Sequence, residues 1–174
     1  MPSGYHGHYL RIDASSGCVD RVPLAEKVLR EFVGGSGLGA WLLLEESTSW
    51  SDPLDADAPL IFVFSPLVGS PLTTSAKFAV VSQSPLTDRI NDSLASSGFA
   101  LAGKRCGCDA IVIVGRAEKL STLVIDNGKV RLDPAEDLQG LTCGNTEQTL
   151  RTQLGPDYQI ASVGPAGEQR VRYA

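Results

Sequence analysis

Two short apolar runs, each leading into a Ser-Pro-Leu turn, restrict the fold of this chain more than any other feature of its sequence. IFVF at 61–64 precedes the turn at 65–67, and AVVS at 79–82 precedes the turn at 84–86. Short apolar runs bounded by proline are typical of buried strands. The two turns stand 19 residues apart, which suggests a weak strand–turn duplication. A third apolar run, AIVIV at 110–114, makes the centre of the chain a predicted β-rich core.

The N-terminal part is predicted to be a β-hairpin followed by two helices. HYLRID at 8–13 alternates, meets the turn ASSG, and CVDRVPL returns as a second strand. Pro23 then opens a helix with an apolar stripe, and AWLLLEES at 40–47 forms the second helix. The glycine-rich run at 34–39 superficially suggests a dinucleotide-binding loop, but that motif follows a strand. Because a helix precedes this run, a helix–glycine–helix corner is favoured.

The C-terminal part is predicted to mix short helices and strands. Residues 87–95 are predicted to form a polar loop that ends at Ser96. The elements expected after it are a helix at 99–105, strands at 121–126 and 129–133 joined by a turn at Asn127-Gly128, a helix at 146–154 capped by Asn145 or Thr146, and a final strand at 159–164. We therefore expect one α+β domain over residues 1–174, with two mainly β layers and three or four helices. The last residues are predicted to begin another strand, so we expect one domain, or a fragment, of a longer protein.

Composition excludes several classes of function. The 174 residues are 43% hydrophobic and 20% charged, with a net charge of −5, and the charges are scattered. Nucleic-acid binding proteins instead cluster lysine and arginine. No apolar run reaches the roughly 18 residues that cross a bilayer, and the first residues contain no apolar signal segment. The expected compartment is the cytosol.

Cysteines and histidines do not form a metal-binding pattern. The four cysteines, Cys18, Cys106, Cys108 and Cys143, contain no C-x-x-C pair, and metal or iron–sulfur sites need closely grouped ligands. Cys106 and Cys108 are predicted to lie on one face of a strand as buried structural thiols. His6 and His8 could pair on a strand face, but without a third ligand they are more readily edge residues. No catalytic residue and no metal ligand is predicted.

One segment suits an anion. Lys77 begins the strand before the second Ser-Pro-Leu turn, and small residues at 95–98 (Ala-Ser-Ser-Gly) precede a helix. Small residues allow the backbone to approach a ligand, and amides at a helix start can face negative charge. If the loop folds back, Lys77 and the loop amides converge on one site. The alternatives are a solvated lysine and a helix cap formed by Ser96-Ser97.

Several blocks resemble the N-terminal domain of the tungsten-dependent aldehyde ferredoxin oxidoreductases. Where that family has a run like AGYDAIVVEGKAEK, this chain has CGCDAIVIVGRAEK at 106–119. The other blocks keep the order and near-family spacing. They are LRIDASSG at 10–17, EFVGGSGLGAWLL at 31–43, SPLT at 84–87, GF at 98–99 and SVGPAGE at 162–168.

The resemblance implies a fold, an activity and a set of cofactors. The family's N-terminal domain is built from two intertwined β-rich repeats and forms the base under a tungsten ion that two pterins hold through their dithiolenes. The full enzyme would oxidise an aldehyde to a carboxylate and pass electrons through a 4Fe–4S cluster, held outside this chain, to ferredoxin. Molybdenum in place of tungsten, and a magnesium ion bridging the pterin phosphates, are further implications. The expected partners are later domains of the same enzyme, and self-association is plausible because a lone domain exposes its cofactor-facing surface.

The resemblance also assigns cofactor-binding residues. Lys77 falls where the family usually has arginine. Lysine keeps the positive charge at this position but lacks the bidentate fork that arginine offers to phosphate. Leu94, Ala95, Ser96 and Ser97 fall on the family's Asn-Ser-Gly-Gly loop. The Leu94 side chain cannot replace the asparagine that helps hold the magnesium–phosphate bridge. A shift of the loop by one or three residues would bring Ser93 or Asn91 to this position instead. This departure leaves open an alternative function, a non-catalytic scaffold or partner-binding subunit of the same fold.

Overall fold

Eight strands and five α-helices make up the described part of the chain, which in this computed structural model is residues 3–47, 52–126 and 128–173. The strands are β1 (His8–Asp13), β2 (Cys18–Pro23), β3 (Leu60–Phe64), β4 (Lys77–Gln83), β5 (Ile90–Ser96), β6 (Ala110–Val114), β7 (Ser121–Asp126) and β8 (Lys129–Pro134). The helices are α1 (Glu26–Phe32), α2 (Gly35–Glu46), α3 (Gly98–Arg105), α4 (Cys143–Leu154) and α5 (Pro165–Glu168), with a short 3-10 helix at Glu136–Leu138.

Six strands form one mixed sheet in the order β2-β1-β6-β3-β4-β5, and β7 with β8 forms a separate hairpin. Only the β1–β6 pair is parallel among the pairs of the described sheet. Strands β3 and β6 lie in the middle and are apolar almost throughout, because both of their faces are covered. Strands β2 and β5 are the two edges of the sheet.

Helix α2 covers one face of the sheet. Leu38, Leu42 and Leu43 pack there on the side chains of β3, β4 and β6 that point the same way, and all are fully buried. The contact is close enough that a Cβ on Gly39 would lie 2.5 Å from Val81 Cγ2. The glycine run therefore supplies the first turn of α2 and lets the helix lie directly on the sheet.

Helix α3 and the β7–β8 hairpin cover the opposite face. Leu10, Ile12, Phe64, Phe78 and Ile111 form the buried core on this side. A Cβ on Gly103 of α3 would lie 2.0 Å from Phe64 Cζ, so the helix approaches the sheet at a position without a side chain. A smaller third cluster joins Ala135, Leu138 and Leu150 under α4.

The α+β class predicted from the sequence is confirmed, and the predicted strands at β1, β2, β3, β4, β6, β7 and β8 are present. The structure describes five α-helices rather than three or four. The second helix begins at Gly35, not at residue 40. Helix α4 begins at Cys143, and its cap is Thr142, whose hydroxyl accepts a hydrogen bond from Asn145 N at 3.3 Å. Neither Asn145 nor Thr146 is the cap.

Three other predictions were wrong, and part of a fourth lies outside the described residues. Residues 90–95, expected in a loop, lie in strand β5, and residues 159–164, expected as a strand, pair with no described strand. The start of a further strand predicted at the chain end is a turn in the described residues up to 173. The Asn127 half of the predicted β7–β8 turn is outside the described part of the chain.

The Ser-Pro-Leu turns share local chemistry rather than a larger repeat unit. A third copy lies at 70–72. In every copy the serine hydroxyl accepts a hydrogen bond from the leucine amide, at 3.2, 3.4 and 3.2 Å in chain order. Because β3 and β4 are antiparallel, the first and last copies lie at opposite ends of the sheet.

Helix lengths bear on membrane insertion. Within residues 3–47, 52–126 and 128–173, no helix is long and apolar enough to span a bilayer.

Candidate functional site

Strand β5 is an open edge of the sheet. All seven of its residues are exposed, and no strand among the described residues pairs with its outer side. An unpaired edge presents backbone N–H and C=O groups to any ligand or chain that approaches it. We call this outer side, with the side chains of Lys77, Asp92, Leu94 and Ser96, the β5 edge.

Hydrogen bonds at the two ends of the β4–β5 ladder show which backbone groups are free. Ser97 N donates to Ala76 O at 3.2 Å, and Ser84 N donates to Arg89 O at 2.8 Å. In an antiparallel ladder, residues alternate between directing their backbone groups to the partner strand and away from it. Given the unbroken register between these ends, Asp92, Leu94 and Ser96 direct their backbone groups to the outer side. Ser93 and Ala95 direct theirs to β4.

Lys77 and Ser96 are directly opposite each other and in contact. They are register partners, and Lys77 Nζ donates to Ser96 Oγ at 2.9 Å. Both side chains therefore lie on the α2 side of the sheet, at the end where β4 begins and β5 ends. The ammonium, the hydroxyl and the free backbone groups of Ser96 form an exposed polar group of the kind that binds an oxyanion.

Ser97 and Gly98 are used by the fold itself. Ser97 is the N-cap of α3, and its hydroxyl accepts a hydrogen bond from Phe99 N at 3.1 Å. Gly98 lies against Gln159, whose Oε1 would be 2.6 Å from an added Cβ. The helix-cap alternative therefore describes Ser97.

Leu94 and Ala95 lie on opposite faces of β5. Leu94 pairs with Ala79 and is 67% exposed, while Ala95 pairs with Phe78. The Leu94 side chain offers no ligand atom, but the backbone carbonyl oxygen of Leu94 points to the outer side of the edge strand. Oxygen ligands from backbone carbonyls are suited to hard cations such as Mg²⁺. At this position the strand thus offers a backbone oxygen ligand and no side-chain ligand.

Sequence reasoning missed Asp92. Its carboxylate Oδ2 accepts a hydrogen bond from Ser36 Oγ at 2.5 Å, which ties β5 to the first turn of α2. Register places Asp92 opposite Val81, on the same face as Leu94 and Ser96. No local signal indicates this contact, because the two residues are 56 positions apart and the fully exposed strand carries no pattern of buried residues.

A buried ion pair holds the N-terminal segment close to the end of the sheet where β4 and β6 begin. Asp109 is completely buried and accepts hydrogen bonds from Lys104 Nζ at 2.7 Å and from the amides of His6 and Gly7 at 3.0 and 2.7 Å. His8 Nε2 lies 3.1 Å from an Arg21 guanidinium nitrogen. His6 is thus held by Asp109 through its backbone amide, while the His8 ring contacts Arg21 and, at 3.3 Å from its Nδ1, the carbonyl oxygen of His6.

The cysteines are dispersed. Cys18 and Cys143 are exposed, Cys106 is half-buried and Cys108 is buried. Cys106 ends α3, and Gly107 in the left-handed region separates it from Cys108. The two thiols therefore do not share a strand face as predicted. Burial and the Asp126 carboxylate raise the pKa of Cys106, and burial raises the pKa of Cys108 to about 12. These are the properties of inert structural thiols.

Comparison with solved structures defines the class of protein. The chain superposes with a TM-score of 0.94 on the active site complex BamBC of benzoyl coenzyme A reductase in complex with 1,5-dienoyl-CoA. Sequence identity is 30%, and the match covers 100% of this chain and 27% of that chain. The fold is thus one found as a domain within a reductase complex.

The chain belongs to the family described as aldehyde ferredoxin oxidoreductase, N-terminal domain, whose model matches residues 9–174. It is 34% identical over 174 residues to the tungsten-containing aldehyde ferredoxin oxidoreductase of Pyrococcus horikoshii, and 30% identical over 186 residues to the aliphatic sulfonate oxidoreductase, WOR-like subunit, of Pyrococcus furiosus. Each match covers 98% of this chain, but only 28% and 30% of those proteins. The family resemblance predicted from the sequence motifs is confirmed.

The groups that this family implies fit the described residues unequally. Lys77, Ser96 and the outward backbone of β5 suit a phosphate, and the Leu94 carbonyl suits a magnesium ion. The described residues contain no group of three or more His, Cys, Asp or Glu side chains that could hold a metal ion. They therefore do not fit an iron–sulfur cluster.

Proposed function

We propose that this chain is the cofactor-binding N-terminal domain, residues 1–174, of a tungsten or molybdenum bis-pterin oxidoreductase, and that the β5 edge holds the cofactor phosphates. The observation that carries the proposal is the Lys77–Ser96 contact of 2.9 Å beside unpaired backbone groups. It supplies a cation, a hydroxyl and free amides at one exposed place. These are donors that a phosphate needs and that a helix or strand packed in a core would not leave open.

Each of the five predicted residues has a part in the proposal. Lys77 neutralises phosphate charge, and Ser96 donates its hydroxyl and amide. Leu94 contributes its carbonyl to a magnesium ion between phosphates, while the small Ala95 leaves space beside the strand. Ser97 acts indirectly, since it caps α3 and holds the end of β5 in place.

The complete enzyme is proposed to oxidise an aldehyde to a carboxylate with ferredoxin as electron acceptor, through a 4Fe–4S cluster held by later domains. When bound, the metal–pterin group supplies the redox chemistry. The residues of this chain only bind and orient it. Two charge-assisted contacts contribute about 1.5–3 kcal/mol each, which is too little for tight binding by this domain alone. The later domains must therefore complete the site. The cytosol remains the compartment predicted from the sequence.

Replacing Lys77 tests the proposal. In the enzyme that contains this domain, Lys77→Ala should lower tungsten and pterin per protein about tenfold, because a charge-assisted contact is lost, while the melting temperature stays unchanged. Lys77→Arg should retain the cofactor. Metal analysis and pterin fluorescence after oxidation measure the occupancy.

A matched control is Lys27→Ala, since Lys27 is an exposed lysine of α1 whose Glu31 partner is a surface contact of 3.8 Å. It should change neither occupancy nor melting temperature. Full cofactor content in Lys77→Ala would mean that Lys77 is only a solvated lysine, and the proposed site would be wrong.

A second candidate function is a non-catalytic scaffold or partner-binding subunit. The observation that favours it is that two large apolar side chains, Ile90 and Leu94, are exposed on this edge strand. Such an edge can add a strand from another chain. Purified full-length protein without pterin or metal, but in a stable complex, would support this function over the first.

A further inference from the structure

The β5 edge carries opposite charges at its two ends. Lys77 is held at one end by Ser96, with 2.9 Å between Nζ and Oγ. Asp92 is held near the other end by Ser36, with 2.5 Å between Oγ and Oδ2. Both charged side chains point to the α2 side of the sheet, with Leu94 between them. The edge therefore has a direction, and a ligand lying along it meets a cation first and a carboxylate second.

We propose that Asp92 is a specificity-determining residue that orients an organophosphate on the β5 edge. The phosphate lies at Lys77, and Asp92 accepts hydrogen bonds from the N–H-bearing end of a heterocycle such as a pterin. This inference rests on the proposed cofactor-binding function. It adds a residue that is not among the five predicted from the sequence.

The spacing supports a ligand with a ring at one end and a phosphate at the other. Ser96 and Asp92 are four residues apart on an extended strand, which corresponds to about 13 Å at about 3.3 Å per residue. An inorganic phosphate is too small to reach both ends. A heterocycle with a short phosphate arm can place its anion beside Lys77 and its ring over Leu94, whose exposed side chain offers an apolar surface.

The hydrogen bonding of the Asp92 carboxylate fits this role. Ser36 occupies one oxygen, Oδ2, and a carboxylate accepts through two oxygens, so Oδ1 can accept from a ligand. A carboxylate repels phosphate and attracts N–H donors, which discourages the reverse orientation. The competing explanation is purely structural. Helix α2 has no side-chain cap at Gly34, and Asp92 would then only place a negative charge near its start.

NMR titration of the ¹⁵N-labelled 174-residue chain distinguishes these explanations. The probes are inorganic phosphate, 6-hydroxymethylpterin and 6-hydroxymethylpterin phosphate. Phosphate should shift the amide of Ser96 but not that of Asp92, and 6-hydroxymethylpterin should shift those of Asp92 and Leu94. The phosphate ester should shift both sets. Asp92→Asn should weaken binding of the two pterin probes about tenfold, the effect of losing one hydrogen bond to a charged group, and should leave inorganic phosphate binding unchanged or tighter.

Three further variants keep the outcomes separate. Ser36→Ala removes the hydrogen bond but keeps the charge, so it should lower stability and retain pterin selectivity. Asp20→Asn removes a carboxylate from the exposed strand β2 at the other edge of the sheet and should change nothing. If Lys77→Ala abolishes phosphate binding while Asp92→Asn leaves pterin affinity intact, the orientation role is wrong and the proposed site stands. If no probe shifts the β5 edge, both are wrong.

Discussion

Asp109 joins separate parts of the chain through a single carboxylate. It precedes β6, receives the ammonium of Lys104 from α3 and holds the amides of His6 and Gly7 in the N-terminal segment. Lys104 also lies 5.8 Å from the centre of the Tyr5 ring. Removing one member of such a buried pair leaves the other charge unpaired, which costs more than the pair contributes when complete.

Asp109→Asn should therefore lower the free energy of unfolding by about 3–5 kcal/mol. Urea denaturation of the 174-residue chain measures it. The matched control is Asp133→Asn, which breaks the exposed Arg131–Asp133 pair at 2.9 Å and should cost at most about 1 kcal/mol, since exposed pairs are weak. A similar small loss in both variants would contradict the anchoring role of Asp109.

Single residues also show how far sequence reasoning reaches. Lys77 and Ser96 could be named because a lysine beside a strand and small residues before a helix are local signals. Asp92 and Asp109 could not be named, because their partners Ser36 and His6 are 56 and 103 positions away. An exposed surface aspartate and a buried anchoring one look the same in a sequence without pairing information.

At the scale of elements, the packing of α3 on the sheet depends on a glycine. Gly103 leaves no room for a side chain above the Phe64 ring, whose Cζ would lie 2.0 Å from a Cβ. Phe64 is itself 1% exposed and has no free space to move into. The helix must shift, or Phe64 must leave its rotamer, if any side chain is added there.

Gly103→Ala should thus destabilise the chain by about 3 kcal/mol, at the upper end of the usual cost of overpacking. Gly144→Ala is the control, because Gly144 lies in α4 and nothing is within 4 Å of an added Cβ. That change should leave stability equal or raise it by up to about 1 kcal/mol through helix propensity. Thermal unfolding by circular dichroism measures both, and equal effects would refute the packing argument.

Elements were predictable from sequence where burial imposes a pattern. The buried strands β3, β4 and β6 and the hairpin β1–β2 carry apolar runs or alternation, and they were found. Strand β5 has seven exposed residues and so no hydrophobic pattern; its extended form comes from pairing with β4. Residues 159–164 show the reverse case, in which a segment with a strand-like mixture of apolar and polar residues has no described strand beside it to pair with.

At the scale of the whole molecule, both faces of the sheet bury a group that ionises at high pH. Cys108 lies in the core under α3, and burial raises the pKa of its thiol to about 12. Tyr9 lies in the core under α2, where burial and the hydrogen bond from its hydroxyl to Glu46 raise its pKa. A raised pKa means that the unfolded chain loses its proton first, so stability falls as pH rises past the unfolded pKa.

The free energy of unfolding should accordingly decline above pH 9, the ordinary value for the Cys108 thiol, and should not depend on this group below it. Each such group contributes about 1.4 kcal/mol per pH unit over its window. Cys108→Ala should make the decline between pH 9 and 12 shallower by that amount. Urea titrations at pH 7, 9, 10 and 11 test this, and parallel curves for the two proteins would contradict it.

The sequence by itself determined the class of fold, most of the strands and the family, because buried elements need apolar patterns and turns need particular residues. It also pointed to Lys77 and Ser96. Only the tertiary structure decided that β5 is an edge strand, that Leu94 offers a carbonyl instead of a side chain, and that Asp92 faces the same surface as Lys77. These depend on strand register and on contacts between distant residues, which long-range pairing sets and local sequence does not encode.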